Sequence, residues 1–444
     1  MRRFSAAFLW VTPRFVGYAV AVAFVVALGG LWAPLAYVGV LGGAALVAVL
    51  LLDAASGPRR REVTVTREPV AHLALRSPGE LKYAIVNRSP TSLRYAIVDS
   101  PVDLLQMPEI PVSGSVGAGR RKVDGLTVIP LERGTTALGD LYVSGENPIG
   151  LLRRRWRVDG KAQAHVFPDL SEVERYGQLA RRHRLVEAGF RKLRLRGGVG
   201  EFDSLREWQP GDEFRSIDWK ATARRNKLMV VQYDVERSQT VMLVLDSGRL
   251  MMPRIGEQRK FDYAVTAALS VAFIASMADD KVGLMAFAGA LREHVAPRSG
   301  SRHVAGLVQR IYDLQPRFEE SDYAGAFTHL RQRQPKRSLV VFFTDMFDPV
   351  ASANVLSNVA VLVPRHLVIC VLMNDEAIEH ALSDEPRTAL DAYRASVAAS
   401  LAAERRKAVA VLQQRGIGVI DVPAAKLTVS LINAYIDVKA RNLL

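Results

Sequence analysis

The sequence is nearly devoid of cysteine. Cys370 stands alone among 444 residues, which excludes an intrachain disulfide framework and a cysteine-based zinc site. It sits in the apolar run LVICVL, where a buried strand thiol is expected rather than a nucleophile. The eight histidines are scattered and none forms an HExxH pair. Walker-type phosphate loops, the GxGxxG fingerprint and the GxSxG elbow are missing too. The signatures that announce metalloproteases, nucleotide-binding enzymes and α/β-hydrolases are therefore absent.

Positive charge is plentiful. The net charge is +14 and unevenly spread. Residues 153–227 hold nineteen Lys/Arg against eleven Asp/Glu, a balance of +8, with RRRWR, RRHR and RKLRLR as the densest clusters. Such clusters suit nucleic acid or a bilayer with anionic headgroups. The segments that precede them favour the bilayer, and nucleic acid is disfavoured as a partner.

Those segments are Phe15–Leu31 and Leu35–Leu52, two almost uncharged apolar runs separated by Trp32-Ala33-Pro34. Each would extend about 26 Å as a helix, close to a hydrocarbon core of about 30 Å. Core helices of soluble proteins normally keep a polar face; these do not. Arg2, Arg3 and Arg14 before the first run, and Arg59, Arg60 and Arg61 after the second, place both ends in the cytoplasm by the positive-inside rule. A two-pass hairpin of the bacterial inner membrane is expected over residues 1–56. A cleavable signal peptide fits less well, because the apolar character resumes directly after Pro34.

Between residues 57 and 166, short alternating runs (EVTVTRE, LKYAIVN, LRYAIVD, LTVIPL, DLYVSG) are punctuated by Gly, Pro, Asn and Ser. This texture predicts a small antiparallel, sandwich-like β domain. Residues 170–196 read as a basic amphipathic helix stopped by Gly197-Gly198. From residue 237 onward, continuous apolar strands alternate with helices. The strands are 241–246, 281–289, 338–345, 366–373 and 418–422; the main helices are Phe261–Ala278, Arg302–Tyr312, Tyr323–Arg333, Ala389–Gln414 and Thr428–Ala440. That alternation predicts a mainly parallel sheet covered on both faces, with ligands beyond its carboxyl edge. Asp246 and Asp345 stand at that edge, where a buried acid requires a cation, an arginine or backbone donors.

The stretch GEFDSLREWQPGDEFRSIDWKATAR, within the 167–236 segment, is unusually dense in charge. Pro210-Gly211-Asp212 predicts a tight turn. Asp203, Arg206, Asp212, Arg215, Asp218 and Arg224 are expected to pair across it, with Trp208 and Trp219 as packing anchors. The alternative is a docking face. Acid–base catalysis by these aspartates suits the residue types less well, since neighbouring arginines would lower their pKa values.

Together with VMLVLDSGRL and FFTD, this stretch resembles the bacterial family called Domain of Unknown Function 58 (DUF58). The resemblance implies a von Willebrand A-like, Rossmann-like α/β domain over residues 237–444, carried on a membrane hairpin and a β domain. It also implies association with a MoxR-type AAA+ ATPase. In the von Willebrand A fold, Mg²⁺ is held by a DxSxS loop, a threonine and a further aspartate. Here Asp246, Ser321 and Asp345 match one acid, one hydroxyl and the second acid, while Gly248 and Leu250 replace the two serines. The resulting expectation is a degenerate metal site, either holding a hydrated Mg²⁺ or compensated by Arg249 or backbone amides. The leading functional expectation is a non-enzymatic adaptor binding protein clients at this edge. A metal-dependent enzyme at the Asp246/Asp345 edge and a basic nucleic-acid-binding module are the alternatives.

Overall fold

The computed structural model describes residues 8–70, 72–170, 202–209, 217–225, 227–233, 238–346, 349–383, 385–441 and 443. The chain divides into two compact units, Met1–Asp169 and Leu170–Leu444. The expected helix at 170–196 and the turn at Pro210-Gly211-Asp212 lie outside the described residues.

The first unit opens with strand β1 (Phe8–Val11), helix α1 (Pro13–Leu28) and helix α2 (Ala33–Ser56). The connection falls at 29–32 rather than at Trp32-Ala33-Pro34, because Pro34 is accommodated in the first turn of α2, where a missing N–H costs nothing. No residue of α1 is buried, and in α2 only Gly39 and Asp53 are. Small residues let the two helices approach closely. A Cβ on Gly29 would lie 2.5 Å from that of Ala36, and one on Gly39 would lie 2.5 Å from Val26 Cγ2, the packing device of helices in lipid. By length and composition α2 is able to cross a membrane, while α1 is apolar but shorter.

Strands β2 (Val63–Arg67), β3 (Leu73–Ala74), β4 (Gly79–Asn87), β5 (Leu93–Asp99), β6 (Leu105–Gln106) and β7 (Val112–Val116) follow. After them come β8 (Arg121–Pro130), β9 (Gly134–Leu138), β10 (Leu141–Glu146), β11 (Leu152–Val158) and β12 (Ala162–Phe167). They form sheets in the orders β1-β11-β10-β5-β7, β2-β4-β8-β6 and β3-β12-β9. Alternation puts Leu81, Tyr83 and Ile85 of β4 into one core with Leu93, Tyr95 and Ile97 of β5, Val143 of β10 and Trp156 of β11. The expected antiparallel β domain is found in its main sheets, with two departures: β3 pairs parallel with β12, and β1, ahead of the helices, pairs antiparallel with β11. The hairpin and the β domain, read from sequence as separate, are a single unit.

What joins them is a loop of the β domain. Asp53, fully buried in the last turn of α2, accepts hydrogen bonds from the amides of Ile149 (2.9 Å), Leu151 (3.0 Å) and Leu152 (2.9 Å). Asn147 Nδ2 donates to the Asp53 carbonyl at 2.7 Å, and Arg154 donates to the Ala54 carbonyl at 2.6 Å. The same loop holds the start of α1: Thr12 donates through Oγ1 to the Gly150 carbonyl at 2.7 Å and through its amide to Leu151 at 2.9 Å.

In the second unit, β13 (Phe202–Glu207) pairs antiparallel with β14 (Met229–Tyr233), and helix α3 (Trp219–Arg225) lies between them in sequence. The six-stranded sheet comprises β15 (Thr240–Asp246), β18 (Lys281–Phe287), β19 (Leu291–Arg298), β20 (Leu339–Phe343), β21 (Leu367–Asn374) and β22 (Gly418–Pro423). The short pair β16 (Arg254–Ile255) and β17 (Gln258–Arg259) stands apart. Sheet order is β19-β18-β15-β20-β21-β22, parallel except for the edge strand β19. The helices are α4 (Lys260–Met277), α5 (Ser301–Ile311), α6 (Tyr323–Arg333), α7 (Pro349–Val359), α8 (Glu376–Ser383), α9 (Ala389–Gln414) and α10 (Leu427–Ala440). Val241, Leu243 and Leu245 pack with α4, α5 and α10 on one face; Met242 and Val244 pack with α6, α7 and α9 on the other. Helix α4 is also long and apolar enough to cross a membrane, but 72% of its apolar window is buried in this core. Cys370 is buried in β21, and burial pushes its thiol up, away from reactivity.

Replacing Asp53 with Ala would leave three amides without their acceptor. The Asp53→Ala protein is expected to lose about 3 kcal/mol, given a cost of about 1–3 kcal/mol for each buried donor left unsatisfied and partial relief by water. Thermal unfolding in detergent, with limited proteolysis at 147–152, checks this.

Candidate functional site

The carboxyl edge of the parallel sheet gathers the acids that the sequence singled out, but it serves them differently. Asp246 ends β15 and is fully buried. Its Oδ1 accepts from Ser321 Oγ at 2.5 Å and from the Gly248 amide at 2.8 Å. Its Oδ2 accepts from Tyr323 OH and Thr344 Oγ1, each at 2.7 Å. Four donors thus meet the roughly four lone-pair directions of one carboxylate. Burial lifts the Asp246 pKa and the hydrogen bonds from Ser321, Gly248, Tyr323 and Thr344 pull it back, leaving it above the usual carboxylate range. Burial also raises the Tyr323 phenol, so it remains a donor.

Asp345 follows β20 and is likewise fully buried. Lys260 Nζ reaches its Oδ2 at 2.6 Å; Arg405 Nη1 and the Met346 amide reach its Oδ1 at 2.8 and 2.7 Å. Arg405 also forks onto Asp421, with Nη2 at 2.8 Å and Nε at 3.1 Å from its two oxygens. Burial lowers the Lys260 pKa, only partly offset by Asp345. Burial opposes the charge of Arg405 as well, but its bonds to Asp421 and Asp345 more than compensate and its pKa is raised. Among the described residues, two acids therefore face two cations in an interior chain of charge.

Ser321 and Asp246 are brought together as the sequence predicted, while Asp345 hydrogen-bonds to neither. Arg249 does not compensate the acids; it pairs with Glu320 at the surface. Lys260, Tyr323, Thr344, Arg405 and Asp421 were not anticipated. Thr344 adjoins Asp345 in FFTD and Tyr323 lies two residues from Ser321, so proximity was a usable signal for both. Nothing in the sequence near Lys260 or Arg405 marks them, since both approach from helices remote in sequence.

This donor set does not fit a divalent ion. The directions on Asp246 are taken by protein hydrogens, and Asp345 is already neutralised by an ammonium and a guanidinium. The glycine at 248 belongs to the same design. A Cβ there would lie 2.1 Å from Ser321 Oγ and 2.9 Å from the Glu319 carbonyl, so the serine of a DxSxS loop has no room.

The charged stretch is more local than its composition suggests. Trp208 donates its amide to the Leu228 carbonyl at 2.9 Å, extending the β13–β14 pairing. Asp218 caps α3, accepting from the Lys220 and Ala221 amides at 2.9 and 3.0 Å. Trp219 is 65% exposed and is not a packing anchor. Arg224 lies in the last turn of α3, where a cation complements the helix dipole. Among the described residues the ion pair in this region is Lys227 with Glu207, at 2.7 Å and exposed. Asp203 and Arg206 lie on β13, their side chains outside the described set, and Asp212 and Arg215 lie outside it altogether.

Residues 204–409, which contain most of the charged stretch and this edge except for Asp421, match the family described as Protein of unknown function DUF58. They are a DUF58 region. An uncharacterized protein of Mycobacterium bovis is 28% identical over 228 residues, covering 46% of this chain and 72% of that protein. The uncharacterized protein YeaD of Bacillus subtilis is 44% identical over 43 residues, 10% of this chain and 11% of its own. A PapD-like domain of human CEP192 matches 24% of this chain and 87% of its own at 10% identity, with a TM-score of 0.20, too low to bear on the fold.

Two substitutions test the edge of the DUF58 region. Gly248→Ser is expected to expel the Ser321 hydroxyl and cost about 2 kcal/mol, as overpacking does. Lys260→Met leaves Asp345 with one cation and is expected to cost about 3 kcal/mol, the lower end for a broken buried pair. Urea unfolding of the detergent-solubilised protein measures both. Millimolar Mg²⁺ should leave the wild-type midpoint unmoved.

Proposed function

We propose that this is a membrane-anchored, cytoplasm-facing adaptor that binds a protein partner and performs no chemistry of its own. The second unit acts as a von Willebrand A-like domain, its parallel sheet with one antiparallel edge and helices on both faces being the layout that such a domain requires. A MoxR-type AAA+ ATPase supplies energy for remodelling the bound client. Both termini lie in the cytoplasm, and the exposed apolar helices α1 and α2 cross the inner membrane as a hairpin.

The observation that carries the reading is how the carboxyl edge distributes its groups. Each acid is consumed internally, while the loop beside Asp246 turns outward. That loop is fixed from within: the Arg249 amide donates to the Glu319 carbonyl at 2.9 Å and the Arg317 amide to the Ser247 carbonyl at 2.8 Å. Between these anchors Phe318 is 84% exposed, flanked by Arg317, Glu319 and Glu320. A rigidly held, exposed aromatic ringed by charge supports a protein-binding hot spot at this loop.

Because Asp246 and Asp345 are buried, replacing them tests folding rather than binding; Phe318 is the informative position. Partners recovered with wild-type protein from solubilised native membranes are expected to fall at least tenfold with Phe318→Asp, at unchanged thermal stability. Undiminished recovery would place the contact elsewhere and sink the edge-binding claim. Recovery of no ATPase by the wild type would remove the MoxR-type partner.

A further inference from the structure

The outward face of the β1-β11-β10-β5-β7 sheet carries a pattern that the adaptor role does not use. Register aligns three cross-strand rows on it. The first is Trp10, Arg153, Glu146 and Arg94; the second holds Arg155, Ser144 and Ala96; the third holds Arg157, Tyr142 and Val98. Together with Pro111, most of these line a cleft of about 630 Å³. Trp10, Tyr142 and Val98 are 54%, 48% and 47% exposed.

Charge on this face is unbalanced. Arg153 and Arg94 share Glu146, at 3.2 and 3.7 Å, and Arg157 pairs with Asp140. Four arginines thus meet two acids, leaving a surplus of two positive charges. Arg155 is exposed and stacks over the Trp10 ring, 5.2 Å from its centroid, with no acidic partner among the described residues. Aromatic rings, arginines and bare apolar side chains on one surface are the composition of a membrane–water interface, where arginine stems lie in the apolar layer and their heads meet phosphates.

Position supplies the second argument. Trp10 lies two residues before Thr12, the cap of α1, and strands advance about 3.3 Å per residue; the first row is therefore within about 7 Å, along the chain, of the helix start. The 147–152 loop adjoining β10 and β11 grips both the start of α1 and the end of α2. If α1 and α2 cross the bilayer, as the reading above holds, this face is fixed at the headgroup layer by covalent continuity and by the Asp53 clamp.

We propose that the cleft binds an anionic phospholipid of that bilayer, with the phosphate between Arg153 and Arg155 and the glycerol and upper acyl carbons against Trp10, Tyr142 and Val98. The inference rests on the membrane-anchored reading, and the test separates the two. Full-length wild type and Arg153→Gln/Arg155→Gln protein are reconstituted in nanodiscs of phosphatidylglycerol or phosphatidylcholine. Lipid retention is then read by native mass spectrometry after stepwise detergent stripping. Wild type should retain phosphatidylglycerol over phosphatidylcholine, and the double variant should retain it about thirtyfold less, the effect of two cations at an anionic surface. Arg302→Gln in the second unit should change nothing. Equal retention by the double variant, or no preference between the lipids, overturns the site. A benzophenone side chain at Val98 should yield a lipid adduct; an adduct to another polypeptide, this chain included, assigns the cleft to a protein and overturns the proposal. Alkaline carbonate extraction of the wild type addresses the premise. Release into the supernatant removes the membrane reading itself, whereas an integral protein without lipid preference removes the cleft alone.

Discussion

The Asp53 carboxylate governs the first unit. A charged group at the last turn of an apolar helix is unfavourable by its dipole and by burial, and it is tolerable here because the amides of Ile149, Leu151 and Leu152 converge on it. Those amides come from the turn between β10 and β11 and the first residue of β11, so the contact requires that these two strands have paired. The same turn receives Thr12, which sets where α1 begins and keeps β1 in register with β11. Hairpin and sandwich are consequently one body, and the orientation of the outer sheet face relative to α1 and α2 follows from a few hydrogen bonds rather than from a broad apolar interface.

In the second unit the same physical problem is solved twice in different ways. Asp246 is surrounded by neutral donors: three hydroxyls and an amide. Asp345 is met by formal charge, with Lys260 and Arg405 against Asp345 and Asp421. A third buried acid, Asp280, takes an intermediate course at the opposite end of β15. It accepts from Tyr435 at 2.5 Å, Lys439 at 2.8 Å and the Gln239 amide at 2.9 Å. Breaking any one of these sets exposes a desolvated charge, so they select a single arrangement of strands and helices more than they add net stability.

Much of this architecture was legible in the sequence. Runs such as VMLVLD and LVICVL are continuous because both faces of their strands are covered, and LKYAIVN and LRYAIVD alternate because one face is not. The helices expected at Tyr323–Arg333 and around Ala389–Gln414 are found there, and the structure shows Asp322 and Thr388 capping them. What escaped was long-range or atypical. Strand β1 is too short to signal itself and acquires meaning only through a partner 143 residues away, as at Trp10–Arg153. Strand β19 carries charged residues because it is an edge. The candidate site was half visible: a terminal acid announces that compensation is needed, but not whether a hydroxyl, a lysine or an ion provides it. Asp218 looked like an ion-pair partner because a capping aspartate and a salt-bridging one have the same spelling.

Gly248 couples two loops by volume alone. A side chain there would occupy the place of the Ser321 hydroxyl and crowd the Glu319 carbonyl, so the turn after β15 and the 317–321 loop approach one another only while position 248 carries no Cβ. Phe318 stands exposed between the two backbone bonds that this approach permits. Position 248 is thus a spacer of zero thickness, and any enlargement of it reaches the surface at Phe318 without touching that residue.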